Sequence, residues 1–338
     1  MYFKSIFIKL TFIILVSVLV VSCSRNQKPV VVSTDSTILS NSVKDISLNI
    51  EKDPANAELI YQRAQIYFNQ KVLDKALSDI EQAINIDKKN PIYYYFKGRI
   101  LYALNKTLKA SDAYEEAVKL KPDYTEAQLK AAELYYIVKE HARSLRYLDA
   151  IISRESENAV AHFFKGMNHK EMKDTAKAID DFQKAFEFDK NFYDAVIQLG
   201  LIYMARNNKL ANEYFSSAIR INPKNDEAYF DRALYFQNIH QYKQAILDYR
   251  KVLSINPSND IAYYNVGYIN FETKHFDEAI RNWNICIQMN NNYTKAYYMR
   301  GLVYEMQNDK KNAKLNYEYT LQLEPNFDLA IEALHRLK

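Results

Sequence analysis

Glycine and cysteine are scarce in this chain, with five glycines and two cysteines among 338 residues. Each glycine stands alone rather than in a glycine-rich run, so the sequence contains no phosphate-binding loop and indicates no cofactor. The formal net charge is only +4, from 45 basic and 41 acidic residues. This mixed balance lacks the electrostatic signature of a nucleic-acid-binding protein, so we expect no nucleic acid partner.

The five glycines all occupy one position of a repeating unit. Steps of 34 residues lead from some glycines to other glycines and from some glycines to alanines. Eight copies of the unit therefore share a small residue at this position. The residues at this position are Ala64, Gly98, Ala132, Gly166, Gly200, Ala233, Gly267 and Gly301. Glycine inside a helix costs about 1 kcal/mol relative to alanine, so its recurrence indicates a packing requirement. We expect another backbone to pass close to this position.

Other positions repeat with the same period. A small residue recurs twelve residues after the glycine position, as at Ala76 and Ala110, and a bulky residue follows four residues later. The bulky residues are Ile80, Tyr114, Leu148, Phe182, Phe215, Tyr249, Trp283 and Tyr317. Prolines, which can end a helix, close four of the units at Pro122, Pro223, Pro257 and Pro325. Each unit is therefore predicted to contain two helices and two turns.

This pattern resembles the tetratricopeptide repeat, a 34-residue helix-turn-helix unit. The sixth copy carries the signature residues Tyr229, Ala233, Phe236, Ala245, Tyr249 and Pro257. We place the copies at 57–90, 91–124, 125–158, 159–192, 193–225, 226–259, 260–293 and 294–327. The fifth copy lacks one residue, which we assign to the turn near Asn207 and Asn208. The resemblance implies an all-α solenoid, a right-handed superhelix of eight repeats whose first helices line a concave groove.

The amino terminus has the features of an export signal. Lys4 and Lys9 precede an apolar run, 10–21, that is too short to span a bilayer comfortably. Val20, Val21, Ser22 and Cys23 then resemble a bacterial lipobox. The resemblance implies removal of a signal peptide at 1–22 and attachment of lipid to Cys23. An uncleaved anchor and an ordinary cleaved signal remain alternatives.

Three further segments flank the repeats. Residues 23–42 are rich in Ser, Thr, Val and Asn without a helical period, which predicts a flexible tether. Residues 43–56 contain apolar residues that fit a helix capping the first repeat, and 328–338 fit a capping helix at the other end. Solenoids need such caps because each internal unit is buried only by its neighbours.

Helical spacing predicts which side chains face the groove. If the glycine position faces the partner helix, the residues three before, two before, one after and four after it face away. Two aromatic-rich sets stand out and form the predicted partner-binding groove. The first set is Tyr95, Phe96, Arg99, Tyr102, Phe163 and Phe164, and the second is Tyr264, Asn265, Tyr268 and Phe271. Tyrosine and arginine are enriched at interface hot spots, whereas packing on a neighbouring helix is the competing interpretation for each tyrosine.

The sequence contains little that could support catalysis. His162 and His169 lie near one helical face, but no third metal ligand is evident and both replace aromatic core residues, so we predict no metal site. Once Cys23 is lipidated, Cys286 is the single free thiol, which excludes an intramolecular disulfide and fits a buried small residue. The repeats leave no room for a catalytic domain, and we expect a non-enzyme.

These features favour a lipid-anchored scaffold of the bacterial cell envelope that binds a protein or peptide partner in its groove. Ser24 is not the aspartate that favours inner-membrane retention, which suggests the outer membrane facing the periplasm. A glycan or small-ligand receptor and an assembly factor for outer-membrane machinery are the alternatives. A clamp for a chaperone's terminal carboxylate fits poorly, because Phe230, Leu234 and Met299 replace its polar residues.

Overall fold

A computed structural model describes residues 36–337, which contain eighteen α-helices and no strand in that range. After α1 (Ser36–Lys52), sixteen helices form eight antiparallel pairs, and α18 (Asp328–Arg336) follows them. The first helices are α2 (Ala57–Asn69), α4 (Pro91–Ala103), α6 (Thr125–Ile137), α8 (Ala159–Glu171), α10 (Tyr193–Ala205), α12 (Glu227–Asn238), α14 (Asp260–Glu272) and α16 (Thr294–Met306). The second helices are α3 (Leu73–Ile86), α5 (Thr107–Leu120), α7 (His141–Ile152), α9 (Thr175–Phe188), α11 (Leu210–Ile221), α13 (Tyr242–Ile255), α15 (Phe276–Met289) and α17 (Lys310–Leu323).

Each helix packs mainly against its neighbours in the chain, which confirms the predicted all-α solenoid. First helices also contact the first helix of the next pair, as α6 contacts α8 and α14 contacts α16. The first helices therefore line one continuous surface, here called the inner face. Within residues 36–337, no helix has both the length and the apolar character needed to cross a bilayer.

The turn inside each pair uses the same backbone geometry eight times. One residue there has a positive φ, between 49° and 64°, and none of the eight is a glycine. They are Lys71, Asn105, Lys139, Lys173, Asn207, His240, Lys274 and Asn308. In the first turn the backbone N–H of Val72 donates to the carbonyl of Tyr67 at 2.9 Å, which satisfies the end of α2. The turns thus conserve one motif although their side chains differ.

The shorter fifth repeat loses its residue in this turn, as predicted. The positive-φ residue Asn207 precedes the small residue Ala211 by four positions, whereas Lys71 precedes Ala76 by five. The side chain of Asn208 accepts a hydrogen bond from the backbone N–H of Leu210 at 2.9 Å. Helix α11 therefore begins at Leu210, directly after the shortened turn.

The glycines make room for a ring rather than for a backbone, so our expectation of a close backbone was wrong. A Cβ built on Gly267 would lie 2.5 Å from Nε1 of Trp283, and one on Gly98 would lie 2.6 Å from the Tyr114 ring. At all five glycines the nearest atom belongs to the bulky residue of the partner helix. The reason is geometric, since the aromatic ring lies against the first helix and occupies the space that an alanine methyl group would need.

Basic side chains one residue before the glycine position tie successive pairs together. Arg232 bonds both oxygens of Asp248 in its own pair and the hydroxyl of Ser216 in the preceding pair. The equivalent contacts join Arg63 to Asp79 and Ser47, Lys97 to Glu81, Lys165 to Asp149, and Arg300 to Asn316 and Asn284. Every partner lies sixteen residues from its basic residue in the sequence. The contacts therefore recur at the same positions of the repeat.

Both ends of the solenoid are covered by a helix. Ile50 of α1 is buried in the first core cluster, and Ala330 and Ala333 of α18 are buried in the last. Helix α1 begins at Ser36, so it includes residues 36–42, which the sequence assigned to the tether. Neither glycine nor proline occurs between Ser36 and Asp53, so no residue there stops the helix. The predicted signal peptide, Cys23 and the first part of the tether lie outside the described residues.

Candidate partner-binding groove

Four of the ten predicted groove residues are buried and cannot touch a partner directly. Phe96, Phe163 and Phe164 are only 2%, 1% and 6% exposed, and Asn265 is 7% exposed. Their burial comes from neighbouring repeats, which spacing within one helix does not represent. Phe96, for example, packs its ring 5.3 Å from that of Tyr61 and 5.4 Å from that of Phe68, both on α2 of the preceding repeat.

The remaining members of the first set surround Arg99, which is exposed on α4. Its guanidinium lies over the rings of Phe68 and Phe96, with centroid distances of 5.1 and 5.4 Å. These are cation–π distances, and no carboxylate among the described residues forms an ion pair with Arg99. Tyr95 is half-buried against Tyr114, 5.5 Å between centroids.

A cavity of about 220 Å³ opens beside Arg99. It is lined mainly by apolar atoms, and its single ion pair joins Lys130 to Glu133 at 2.7 Å. Its lining residues are Phe68, Arg99, Tyr102, Ala103, Tyr114, Lys130, Glu133 and Leu134. Arg99 and Tyr102 were predicted from spacing, and the cavity brings them together.

The second set places three half-buried aromatic side chains along α14. The ring of Tyr264 stacks on that of Tyr293 at 4.9 Å, and its backbone carbonyl accepts the indole N–H of Trp283 at 3.1 Å. Burial raises the pKa of Tyr264 and of Tyr268 above the usual value for tyrosine. Phe271 packs against Phe276 and Trp283. These rings leave part of their surface open on the inner face.

Three carboxylates on the inner face were missed by the sequence analysis. Asp194 lies in the first turn of α10, Glu227 begins α12, and Asp231 follows one turn later. Burial, and then the neighbouring charge of Glu227, raise the pKa of Asp231 to about 7. Burial also raises the pKa of Asp194 and of Glu227. Asp231 stands two residues before Ala233, at a spacing predicted to face the groove, but a carboxylate lacks the aromatic character that marked the other groove residues.

His162 and His169 lie in the core, as the sequence predicted. His169 Nδ1 lies 2.6 Å from Asp181 Oδ2, and His162 Nδ1 lies 3.8 Å from the other oxygen. The sequence did not reveal that Asp181 lies beside these two histidines, because it comes from the partner helix α9. Among residues 36–337 no cluster of histidine, cysteine and acidic side chains could hold a metal ion.

Cys286 fills a small position against the core. Its side chain is fully buried, and burial raises the pKa of its thiol to about 12. Because the thiolate is the reactive form, this cysteine is inert in the folded protein at neutral pH.

Comparison with known proteins supports the repeat assignment. Models described as tetratricopeptide repeat match 57–90, 92–124, 159–192, 214–246 and 294–327, and one described as TPR repeat matches 241–274. A TPR repeat-containing protein of Methanocaldococcus jannaschii is 29% identical over 191 residues, which cover 53% of this chain and 33% of that protein. The DnaJ homolog subfamily C member 7 homolog of Dictyostelium discoideum is 24% identical over 221 residues, 64% of this chain and 37% of that protein. The chain therefore spans about a third of the length of these curated relatives.

Solved structures show the same fold. The C-terminal part of a TPR repeat-containing protein from Cytophaga hutchinsonii aligns with a TM-score of 0.62 at 18% identity, covering 71% of this chain and 99% of that one. A tetratricopeptide repeat protein from Parabacteroides merdae aligns with a TM-score of 0.52 at 16% identity, covering 73% and 98%. The matched repeat models cover more than half of the sequence, and those at 57–90, 92–124, 159–192 and 294–327 coincide with observed helix pairs. The chain belongs to the tetratricopeptide repeat family.

Proposed function

We propose that this protein is a lipid-anchored scaffold of the bacterial cell envelope, which holds a protein partner against its inner face. The main support for this proposal is the inner face. It combines partly open aromatic rings on α14 with carboxylates on α10 and α12 that no cation neutralises among the described residues. Stacked repeats generally present such extended surfaces to other proteins. The pairs also follow one another without insertions, so the surface is continuous and suits an extended or helical segment.

The anchor is the second part of the proposal and rests on the amino-terminal sequence. A short apolar run followed by Val20, Val21, Ser22 and Cys23 supports cleavage before the cysteine and acylation of Cys23. Several acyl chains bind a membrane far more firmly than one, since each buried CH₂ contributes about 0.8 kcal/mol. The proposed location is the outer membrane, facing the periplasm.

Metabolic labelling with an alkyne fatty acid tests the anchor. The full chain is expected to take up the label and to sediment with membranes, whereas Cys23→Ser loses both properties. Cys286→Ala serves as the control and keeps the label, since Cys286 is buried. Label retained by Cys23→Ser would exclude the proposed attachment. Movement of Ser24→Asp to the inner membrane would support the outer-membrane assignment, and an unchanged distribution would count against it.

Photocrosslinking in cells tests the groove. A photoreactive amino acid replaces Tyr268 on the inner face or, as a control, Lys251, which is exposed on the second helix α13. We expect one discrete adduct from position 268 and none of the same mass from position 251. Equal adducts from both positions, or none from position 268, would contradict binding at the inner face.

A further inference from the structure

Arg99 differs from the other arginines on first helices in having no polar partner. Each of the other three donates to an acid or amide side chain of its partner helix, in the pairs Arg63–Asp79, Arg232–Asp248 and Arg300–Asn316. Arg99 is exposed, and no residue in 36–337 accepts a hydrogen bond from its guanidinium or forms an ion pair with it. A guanidinium carries five N–H donors, so Arg99 can offer all of them to a ligand.

Two aromatic rings hold the guanidinium in place without neutralising its charge. It lies 5.1 Å from the ring centroid of Phe68 and 5.4 Å from that of Phe96. Phe68 comes from α2 and Phe96 from α4, so the group sits where two successive repeats meet. These cation–π contacts restrict the side chain of Arg99, which lowers the entropic cost of fixing it against a ligand.

The cavity beside Arg99 has the size and the lining for one apolar side chain. Its volume is about 220 Å³. A cavity of about 150 Å³ can bind benzene, whereas pockets for drug-sized ligands measure about 300–1,000 Å³. The apolar part of its lining includes the buried Tyr114 and Leu134 and the half-buried Phe68 and Tyr102. A phenyl or branched aliphatic side chain of a peptide therefore fits this cavity better than a whole small molecule.

The charged residues around the cavity leave one positive charge. Lys130 and Glu133, one helical turn apart on α6, neutralise each other at 2.7 Å. Arg99 is the one cation in the cavity lining that no carboxylate neutralises. A ligand that complements this site therefore combines an apolar group with a single negative charge.

We propose that the Arg99 cavity binds one large apolar side chain of a partner protein, and that an aspartate or glutamate next to it in the partner's chain pairs with Arg99. First helices precede and follow α4, so the inner face continues on both sides and the partner's chain can pass through. The cavity lining holds no asparagine or glutamine that could bind a chain terminus, so the recognised carboxylate belongs to a side chain. This inference rests on the proposed scaffold function and specifies the chemistry of the partner.

A displayed library of random dodecapeptides tests the proposal with the full chain as bait. Each peptide is fused to its carrier through its carboxyl end, so selection acts on side-chain carboxylates alone. We expect enrichment of peptides in which aspartate or glutamate stands beside phenylalanine, leucine or methionine. The enriched peptides are then synthesised with amidated carboxyl ends and titrated against purified variants.

Two variants remove separate parts of the site. Arg99→Gln removes the charge, and Ala103→Trp fills the cavity from an exposed position without changing any charge. Each is expected to bind the enriched peptides about tenfold or more weakly, because the first loses a charge-assisted pair and the second loses the space for the apolar side chain. The matched controls are Arg250→Gln and Ala176→Trp, at exposed positions on the second helices α13 and α9, and both are expected to keep full affinity.

A double-mutant cycle shows whether Arg99 contacts the acidic residue itself. The acidic residue of an enriched peptide is replaced with its amide, and both peptides are titrated against the wild-type protein and Arg99→Gln. If the two groups pair, the peptide substitution weakens binding to the wild-type protein about tenfold but hardly affects binding to Arg99→Gln. Equal effects on the two proteins would contradict the pairing and overturn the proposal.

The outcomes separate this inference from the scaffold function. Enriched peptides without acidic residues, or undiminished binding by Arg99→Gln or by Ala103→Trp, would overturn the inference while leaving a peptide-binding protein. An absence of enriched peptides would also overturn it, and crosslinking at position 268 in the seventh repeat would still decide the scaffold function. Losses in the control variants as large as those in the site variants would show a general effect and would likewise overturn it.

Discussion

Arg232 forms a two-pronged ion pair with Asp248, sixteen residues later in the chain, with Nε–Oδ2 and Nη2–Oδ1 distances of 2.7 and 2.8 Å. The Asp248 side chain is only 9% exposed, so its negative charge depends on Arg232 for stabilisation. A third guanidinium nitrogen, Nη1, donates to Ser216 of the preceding pair at 2.8 Å. One side chain thus joins three helices across a repeat boundary.

Replacing Arg232 with alanine is expected to destabilise the protein by about 3 kcal/mol, because the substitution leaves Asp248 buried without a partner. Urea unfolding followed by circular dichroism measures the loss. Lys165→Ala is the matched control, since its partner Asp149 is 59% exposed, and it should cost less than about 1 kcal/mol. Similar losses in both variants would contradict the importance of burial at this link.

The ring opposite each of the five glycines leaves no room for a Cβ, whereas the sixth repeat pairs Ala233 with Tyr249. Gly267→Ala gains about 1 kcal/mol in helix propensity. The added methyl group, however, overlaps the Trp283 indole, at a cost of about 1–3 kcal/mol, and displaces its hydrogen bond to the Tyr264 carbonyl, worth about 1 kcal/mol. We expect a net loss of about 2 kcal/mol in thermal or chemical unfolding.

A double-mutant cycle isolates this contact. Ala132 stands sixteen residues before Leu148, which shows that alanine suits a repeat whose bulky residue is aliphatic. Adding Trp283→Leu to Gly267→Ala should therefore remove most of the penalty of the methyl group, although the smaller side chain has a cost of its own. Strictly additive effects of the two substitutions would show that the ring does not explain the glycine.

The eight turns offer a way to raise stability. Lys139 adopts φ of 63°, a conformation that costs non-glycine residues about 1–2 kcal/mol. Glycine avoids this cost, but its greater conformational freedom in the unfolded chain offsets part of the gain. Lys139→Gly is expected to increase the free energy of unfolding by about 0.5–1 kcal/mol. Lys251→Gly, inside α13, is the control and should lower it by about 1 kcal/mol. A loss of stability in Lys139→Gly would contradict the assigned turn geometry.

The raised pKa of Asp231 makes stability depend on pH with a definite sign. Its folded-state pKa of about 7 exceeds the value of about 4 expected in the unfolded chain, so the folded state prefers the protonated form. The resulting penalty is absent below pH 4, grows as the pH rises to 7, and is then constant. Asp231→Asn should thus stabilise the protein by about 1–3 kcal/mol at pH 8 and leave its stability at pH 4 nearly unchanged. Calorimetry at the two pH values measures this, and equal effects at both would contradict the shift.

The regular spacing of small and bulky residues was sufficient to predict the helix pairs and the shortened fifth turn. Each small residue identifies the side of its helix that faces the partner helix, and this pattern recurs in all eight copies. The contact at the glycine was predicted less well. Spacing shows that Gly267 needs room, but only the packed pair shows that the room is filled by Trp283 from the partner helix.

The groove was harder to predict because burial there depends on the neighbouring repeats. Tyr268 and Phe96 were both predicted to face the groove, yet Phe96 is covered by Tyr61 and Phe68 of the preceding repeat. Asp231 was overlooked for a related reason. An aspartate in a sequence carries no mark of its burial, and the raised pKa of Asp231 follows only from the packed helices and from Glu227 beside it.

The burial of Cys286 provides a built-in reporter of local motion. The thiolate is the form that attacks a sulfhydryl reagent, and the folded seventh repeat suppresses this form by burying Cys286 and raising the pKa of its thiol to about 12. Modification therefore requires α15 to detach transiently, and its rate measures how often that happens. Recording this rate with and without a bound partner would reveal whether occupancy of the neighbouring α14 surface holds α15 in place.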